Sequence, residues 1–98
     1  MAEDRVRTEL VENLLHVLAG MQDEDQIYAL LQDLCTVREI TEMSQRLEVA
    51  RLLSQKTSYV DIQEKTGASA TTISRVSKCL NYGAGGYACA LDTMATEQ

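Results

Sequence analysis

Thr71, Thr72, Arg75 and Lys78 fall within a span of eight residues that contains neither glycine nor proline. On a helix they share one side, because successive residues advance by about 100°. The strip offers hydroxyl groups, one planar guanidinium and one ammonium, a set suited to base-edge hydrogen bonds and phosphate contacts. No comparable set suits catalysis. His16 is the sole histidine, and Cys35, Cys79 and Cys89 form no CxxC pair and have no histidine beside them. GAGG at 83–86 follows a helical pattern rather than a strand, a weak match to a phosphate-cradling loop. Asp23 and Asp25 read as charge at a helix start. The expectation is a chain that is not an enzyme, with no metal site and no cofactor.

That strip has to be held in place by its neighbours. Ser58 to Leu80, SYVDIQEKTGASATTISRVSKCL, reads as two short helices joined by a tight turn. Gly67 is able to take positive φ and end the first helix sharply, and Ser69 is able to cap the second. Ile62 and Ile73, eleven residues apart, then meet beneath the turn, with Val76 and Leu80 continuing the buried stripe. A helix-turn-helix of this kind turns Ser69, Ala70, Thr71, Thr72, Ser74, Arg75 and Lys78 towards a major groove, with Lys65 and Lys56 on phosphates. Backbone N–H groups around Ala70 and Thr71 could also receive a phosphate.

The rest of the chain reads as scaffold. Val6, Leu10, Leu14, Val17, Leu18 and Met21 recur mostly every three or four residues, predicting an amphipathic first helix. Val11 and Leu15 widen its apolar face, so it is read as a dimerisation element. Asp23 and Glu24 lead into a second helix carrying Ile27, Leu30, Leu31 and Leu34. Thr36 with Glu39 forms a capping box that opens a third, whose apolar positions are Ile40, Met43, Leu47, Ala50 and Leu53. NYGAGGY must turn, and Tyr87, Leu91 and Met94 predict a short docking helix or else a tail frayed after about Asp92. The expected organisation is one domain over 1–98, with dimerisation helices at 4–35. The third helix and the motif occupy 36–80, and 81–98 hold the glycine-rich turn with a short helix or tail.

Composition supports an all-α chain. Hydrophobic residues make up 45% of the 98, with no Phe, Trp or Pro and only 4 Tyr, so Leu, Ile, Val, Met and Ala must pack helix on helix. No apolar run nears the roughly 20 residues that span a bilayer, and MAEDRVRTEL has no apolar signal core. A cytoplasmic location away from membranes is expected. The cysteines are expected as small buried hydrophobes, with an exposed Cys79 or Cys89 as the alternative. Net charge is −6, yet residues 1–43 hold 3 basic and 10 acidic groups, 44–80 hold 6 and 3, and 81–98 add two acidic groups. Net positive charge is thus confined to the motif and the helix before it, as suits a DNA-facing surface.

Thr36 to Tyr87, through TVREITEMSQRLEVARLL, TGASATTISRVSKCLNYG and GGY, resembles the Trp repressor superfamily, most closely its Trp-repressor-like YerC/YecD family. The resemblance implies an intertwined homodimer whose helix-turn-helix units bind double-stranded DNA, a sequence-specific transcriptional regulator acting as a repressor. It also implies an effector pocket. In tryptophan-responsive members the corepressor lies between two arginines that Arg46 and Arg75 match, and Thr36 matches a threonine opening the same helix. A glycine after the second arginine admits the indole there. This chain has Val76 instead, and Cys79 in place of a contacting serine, so tryptophan is not expected and the effector is unknown. Three readings stay open: the DNA-binding regulator, a helical protein-interaction module without DNA contact, and a tryptophan-responsive repressor. Arg46 has the alternative of an ion pair with Glu42, four residues before it.

Overall fold

Side-chain caps and three left-handed residues, Lys56, Gly67 and Gly85, set boundaries of the helices. The computed structural model describes residues 5–96, which are all-α with no strand among them. Six helices follow in order: α1 (Glu9–Gly20), α2 (Glu24–Leu34), α3 (Val37–Ser54), α4 (Tyr59–Thr66), α5 (Ala70–Tyr82) and α6 (Gly86–Thr96). None is long and apolar enough to cross a membrane. The described residues divide into two compact units, one ending at Val37 and one beginning at Arg38.

In the first unit, the Thr8 side chain accepts from the Val11 N–H and fixes an extended backbone, so α1 starts at Glu9. Val6, expected inside this helix, precedes the cap and is exposed. The reason is local: the hydroxyl satisfies a donor that the first turn leaves orphaned, which outweighs one more apolar residue at the correct spacing. Arg7 pairs with Glu12 across this start. Asp23 caps α2 by accepting from the Asp25 N–H at 2.9 Å, and Glu24 and Asp25 add negative charge where the helix dipole favours it. No described residue of this unit is buried. Val11, Leu18, Met21, Ile27, Leu30 and Leu31 are half-buried, while Leu10 is 79% and Leu34 57% exposed. Two amphipathic helices therefore leave much of their apolar surface uncovered.

The second unit has a core. Val49, Ala50 and Leu52 of α3, Ile62 of α4, Ala68 of the turn, and Ile73 and Val76 of α5 form one buried cluster, with Leu53 and Tyr87 packed on it. Ile62 and Ile73 are both fully buried, as their spacing about Gly67 predicts, while Leu80 is only half-buried. On α3 the expected stripe needs correction. Ala50 and Leu53 join the core, but the buried face runs through Val49 and Leu52, and Met43 is 39% exposed. Ile40, Met43 and Leu47 lie roughly a third of a turn away from it, so α3 carries two apolar faces and the expected positions span both.

Three hydrogen bonds end α3. Lys56 N–H reaches Leu53 O, Gln55 N–H and Thr57 N–H both reach Leu52 O, and Lys56 takes a left-handed φ of 65°. This is the pattern of a helix end that usually carries glycine, here built with lysine. At the other end of the unit α6 runs through Met94, so the C-terminal segment is a helix, packed on α5. Gly83 joins the two: a Cβ there would collide with the Cys79 carbonyl. The cysteines are not buried. Cys79 and Cys89 are exposed and Cys35 is half-buried, because Cys79 lies off the Ile73–Val76–Leu80 stripe and Cys89 off the Tyr87–Leu91–Met94 stripe.

Candidate functional site

The angle between α4 and α5 is set within four residues. Thr66 donates its hydroxyl to Ile62 O at 2.7 Å and accepts from Ala68 N–H at 3.1 Å, so one side chain bridges the last turn of α4 and the connection. Gly67 follows with φ 75°, returning its N–H to Gln63 O. Gln45 of α3 donates to Thr66 O at 3.1 Å and pins that corner from outside. Ala68 then goes into the core and Ser69 caps α5.

Ser69 is fully occupied by that task. Its Oγ accepts from Thr72 N–H at 3.1 Å and donates to Thr72 Oγ1 at 3.1 Å. Thr72 itself is half-buried. Ala70, Thr71, Ser74, Arg75 and Lys78 are exposed, and they form the side of α5 opposite Ile73 and Val76. Lys65 and Lys56 are exposed as well, Lys65 in the last turn of α4 and Lys56 at the left-handed end of α3.

Two of the cations of this unit are held by carboxylates. Arg51 is bound bidentately by Glu48, at 2.8 and 2.7 Å, and this hydrogen bonding holds the Glu48 carboxyl below its usual value, with Lys65 adding a smaller pull. Glu42 pairs with Arg38 at 3.0 Å, rather than with Arg46 as the alternative for that arginine supposed. Both arginines lie four residues from Glu42, and the pair that forms is the one on its N-terminal side. Arg46, Lys56, Lys65, Arg75 and Lys78 form no salt bridge among the described residues.

Beside the α5 face lies a cavity of about 310 Å³ with Arg46, Arg75, Val76 and Cys79 in its wall, together with Glu42, Gln45, Thr72 and Tyr87. The two arginines singled out by resemblance are therefore brought together. Thr36 is not among the lining residues and belongs to the first unit. Val76 is only 2% exposed and forms part of the cavity wall. A second, more apolar cavity of about 500 Å³ adjoins, through Met43, Leu47, Ala84 and Ala90, and shares Arg46, Cys79 and Tyr87 with the first. Sequence reasoning missed Gln45 and Thr66, whose polar bonds set the corner. The only signal for Gln45 was a place one turn before Val49, on the face now seen to be buried.

Among the described residues no group of His, Cys, Asp and Glu could hold a metal ion.

Known proteins are similar to this chain in sequence and in fold. The chain is 44% identical over 92 residues to the uncharacterized protein YerC of Bacillus subtilis (strain 168), covering 94% of this chain and 88% of that one. A TrpR-like protein from Eubacterium eligens ATCC 27750 superposes with a TM-score of 0.89 at 42% identity, over 95% of this chain and 96% of the other. A candidate Trp repressor from Staphylococcus aureus does so with the same TM-score at 36% identity, over 97% and 95%. The family model described as Trp repressor protein matches residues 9–95, and the chain belongs to that family.

Proposed function

We propose that the protein is a sequence-specific DNA-binding transcriptional regulator, acting as a repressor by occupying its operator. The observation that carries the reading is the exposed side of α5. Thr71, Ser74, Arg75 and Lys78 stand outward together, on a helix whose first turn is fixed by Ser69 and whose direction is fixed by Gly67. In this reading α4 and α5 act as a helix-turn-helix, Arg75 reaches a base edge, and Lys56, Lys65 and Lys78 hold phosphates. Ser69 and Thr72 position the face, and Ala70 stands on it.

A homodimer goes with it. One short helix touches few base pairs, and two-fold pairing places half-sites about 34 Å apart, one turn of the duplex. The uncovered apolar surface of α1 and α2 supports such pairing, and the single-domain organisation over 1–98 belongs to the dimer. Tryptophan is not the effector in this reading, because the buried Val76 side chain takes the space the indole ring would need. Calorimetry with tryptophan tests that point separately, and heat of binding at micromolar concentration would reverse it. The regulator would act in the cytoplasm, on DNA rather than at a membrane.

The test is selection of genomic fragments by the full chain at about 50 mM salt, followed by mobility shifts on the enriched site. The reading expects one enriched site with two-fold symmetry and, for Arg75→Ala, lost preference at one base position per half-site. If no fragment is enriched, the protein-interaction alternative takes its place.

A further inference from the structure

The first turn of α5 lacks any side chain able to make a paired hydrogen bond to a base. Its residues are Ala70, Thr71, Thr72 and Ile73, with no Asn, Gln, Arg, Lys, Asp or Glu among them. Ile73 is in the core, and the Thr72 and Ser69 hydroxyls are bonded to each other. The exposed residues of the first turn are therefore Ala70, whose side chain is a methyl, and Thr71, which carries a methyl and a hydroxyl. One turn on, at i+4 from Thr71, stands the exposed Arg75 guanidinium, which no carboxylate holds among the described residues.

In a major groove only thymine among the four common bases presents a methyl group, and alanine or threonine methyls are the side chains that meet it. Guanine presents two acceptors that suit a guanidinium. We propose that the α5 face reads each half-site through a thymine C5-methyl group, packed against Ala70 and Thr71, adjoining a guanine read by Arg75. This rests on the DNA-binding reading and adds the specificity-determining residues of its first turn. Thr71 is the more informative of the two, because its hydroxyl and its methyl can be separated by mutation.

The experiment enriches a randomised duplex pool with the full chain, then resynthesises the enriched site with deoxyuridine replacing each thymidine in turn. Uracil pairs as thymine does and lacks only the methyl. One thymine per half-site should then weaken binding by about fourfold, the factor for burying one methyl group, and replacing both should give roughly fifteenfold. Thr71→Ser keeps the hydroxyl, removes the methyl and should shrink the uracil effect to below about twofold, since one of two contacting methyls is gone. Its melting should match the parent because the site is exposed. If every thymine in an enriched site is replaceable without loss, or if the loss is unchanged in Thr71→Ser, methyl readout is wrong while DNA binding stands. If no duplex is enriched at all, the DNA-binding reading falls and this inference falls with it.

Discussion

Ile73→Ala should strip the motif of its internal contact while leaving its surface intact. Ile73 is fully buried within a core of seven residues that includes Ile62 and Val76. The substitution removes about three methylene equivalents, worth about 2.4 kcal/mol at ~0.8 kcal/mol each. A cavity adds to that, because α4 is tied to α3 by the Gln45–Thr66 bond and cannot simply collapse inward. The total comes to about 3–4 kcal/mol, inside the range of about 2–5 kcal/mol seen for such truncations. For a domain of this size that lowers Tm by about 15–25 °C. Thermal and urea unfolding followed by circular dichroism measure it, with Val60→Ala, on a residue 63% exposed, as the control that should stay within about 0.5 kcal/mol. Ile73→Asp places an unpaired carboxylate in the same site and should prevent folding. An Ile73→Ala loss below about 1 kcal/mol would refute the claim that Ile62 and Ile73 hold α4 on α5.

Other substitutions separate the devices around the turn. Gly67→Ala should cost about 1–2 kcal/mol, and conformation alone explains it, since a Cβ there would meet nothing nearer than the Gln45 side chain at 3.9 Å. Gly67→Asn should lose less, and equal losses in urea unfolding would count against the left-handed geometry. Ser69→Ala should lose about 1 kcal/mol from the α5 cap and Ser69→Asp should recover most of it; an alanine variant as stable as the parent would show the cap is idle. The Glu48 carboxyl is held below its unfolded value of 4.5, so the stability it adds is present above that value and disappears as pH falls through its lower folded value. Glu48→Gln should flatten the acid limb of stability against pH below 4.5, modestly because the pair is partly exposed, and an unchanged limb would remove the Arg51 bond from the account.

Much of this was legible because local chemistry and tertiary fold agree. Gly67, Ser69 and the Ile62–Ile73 spacing each specify the same corner, and the structure has that corner. One limit is that helical periodicity does not say which of two apolar faces a neighbour will cover. On α3 the Ile40–Met43–Leu47 face and the Val49–Leu52 face both have helical spacing, and only contact with α4 and α5 decides between them. Val6 failed differently: the Thr8 cap starts the helix only at Glu9, three residues later, and a cap outranks a pattern. Cys79 and Cys89 followed a composition-based rule that ignores the face a residue stands on. Long-range polar bonds such as Gln45 to Thr66, 21 residues apart, leave no trace in any local window.

In the proposed function the exposed cations of the second unit meet DNA phosphates, and affinity for an enriched duplex as a function of salt tests this. If Lys56, Lys65 and Lys78 of both subunits hold phosphates, affinity should drop about a thousandfold between roughly 50 and 200 mM salt. Lys78→Ala should reduce the logarithmic slope by about two for the dimer, one phosphate per subunit, across sequences alike. Affinity that is flat with salt, or a slope that Lys78→Ala leaves untouched, would contradict the account.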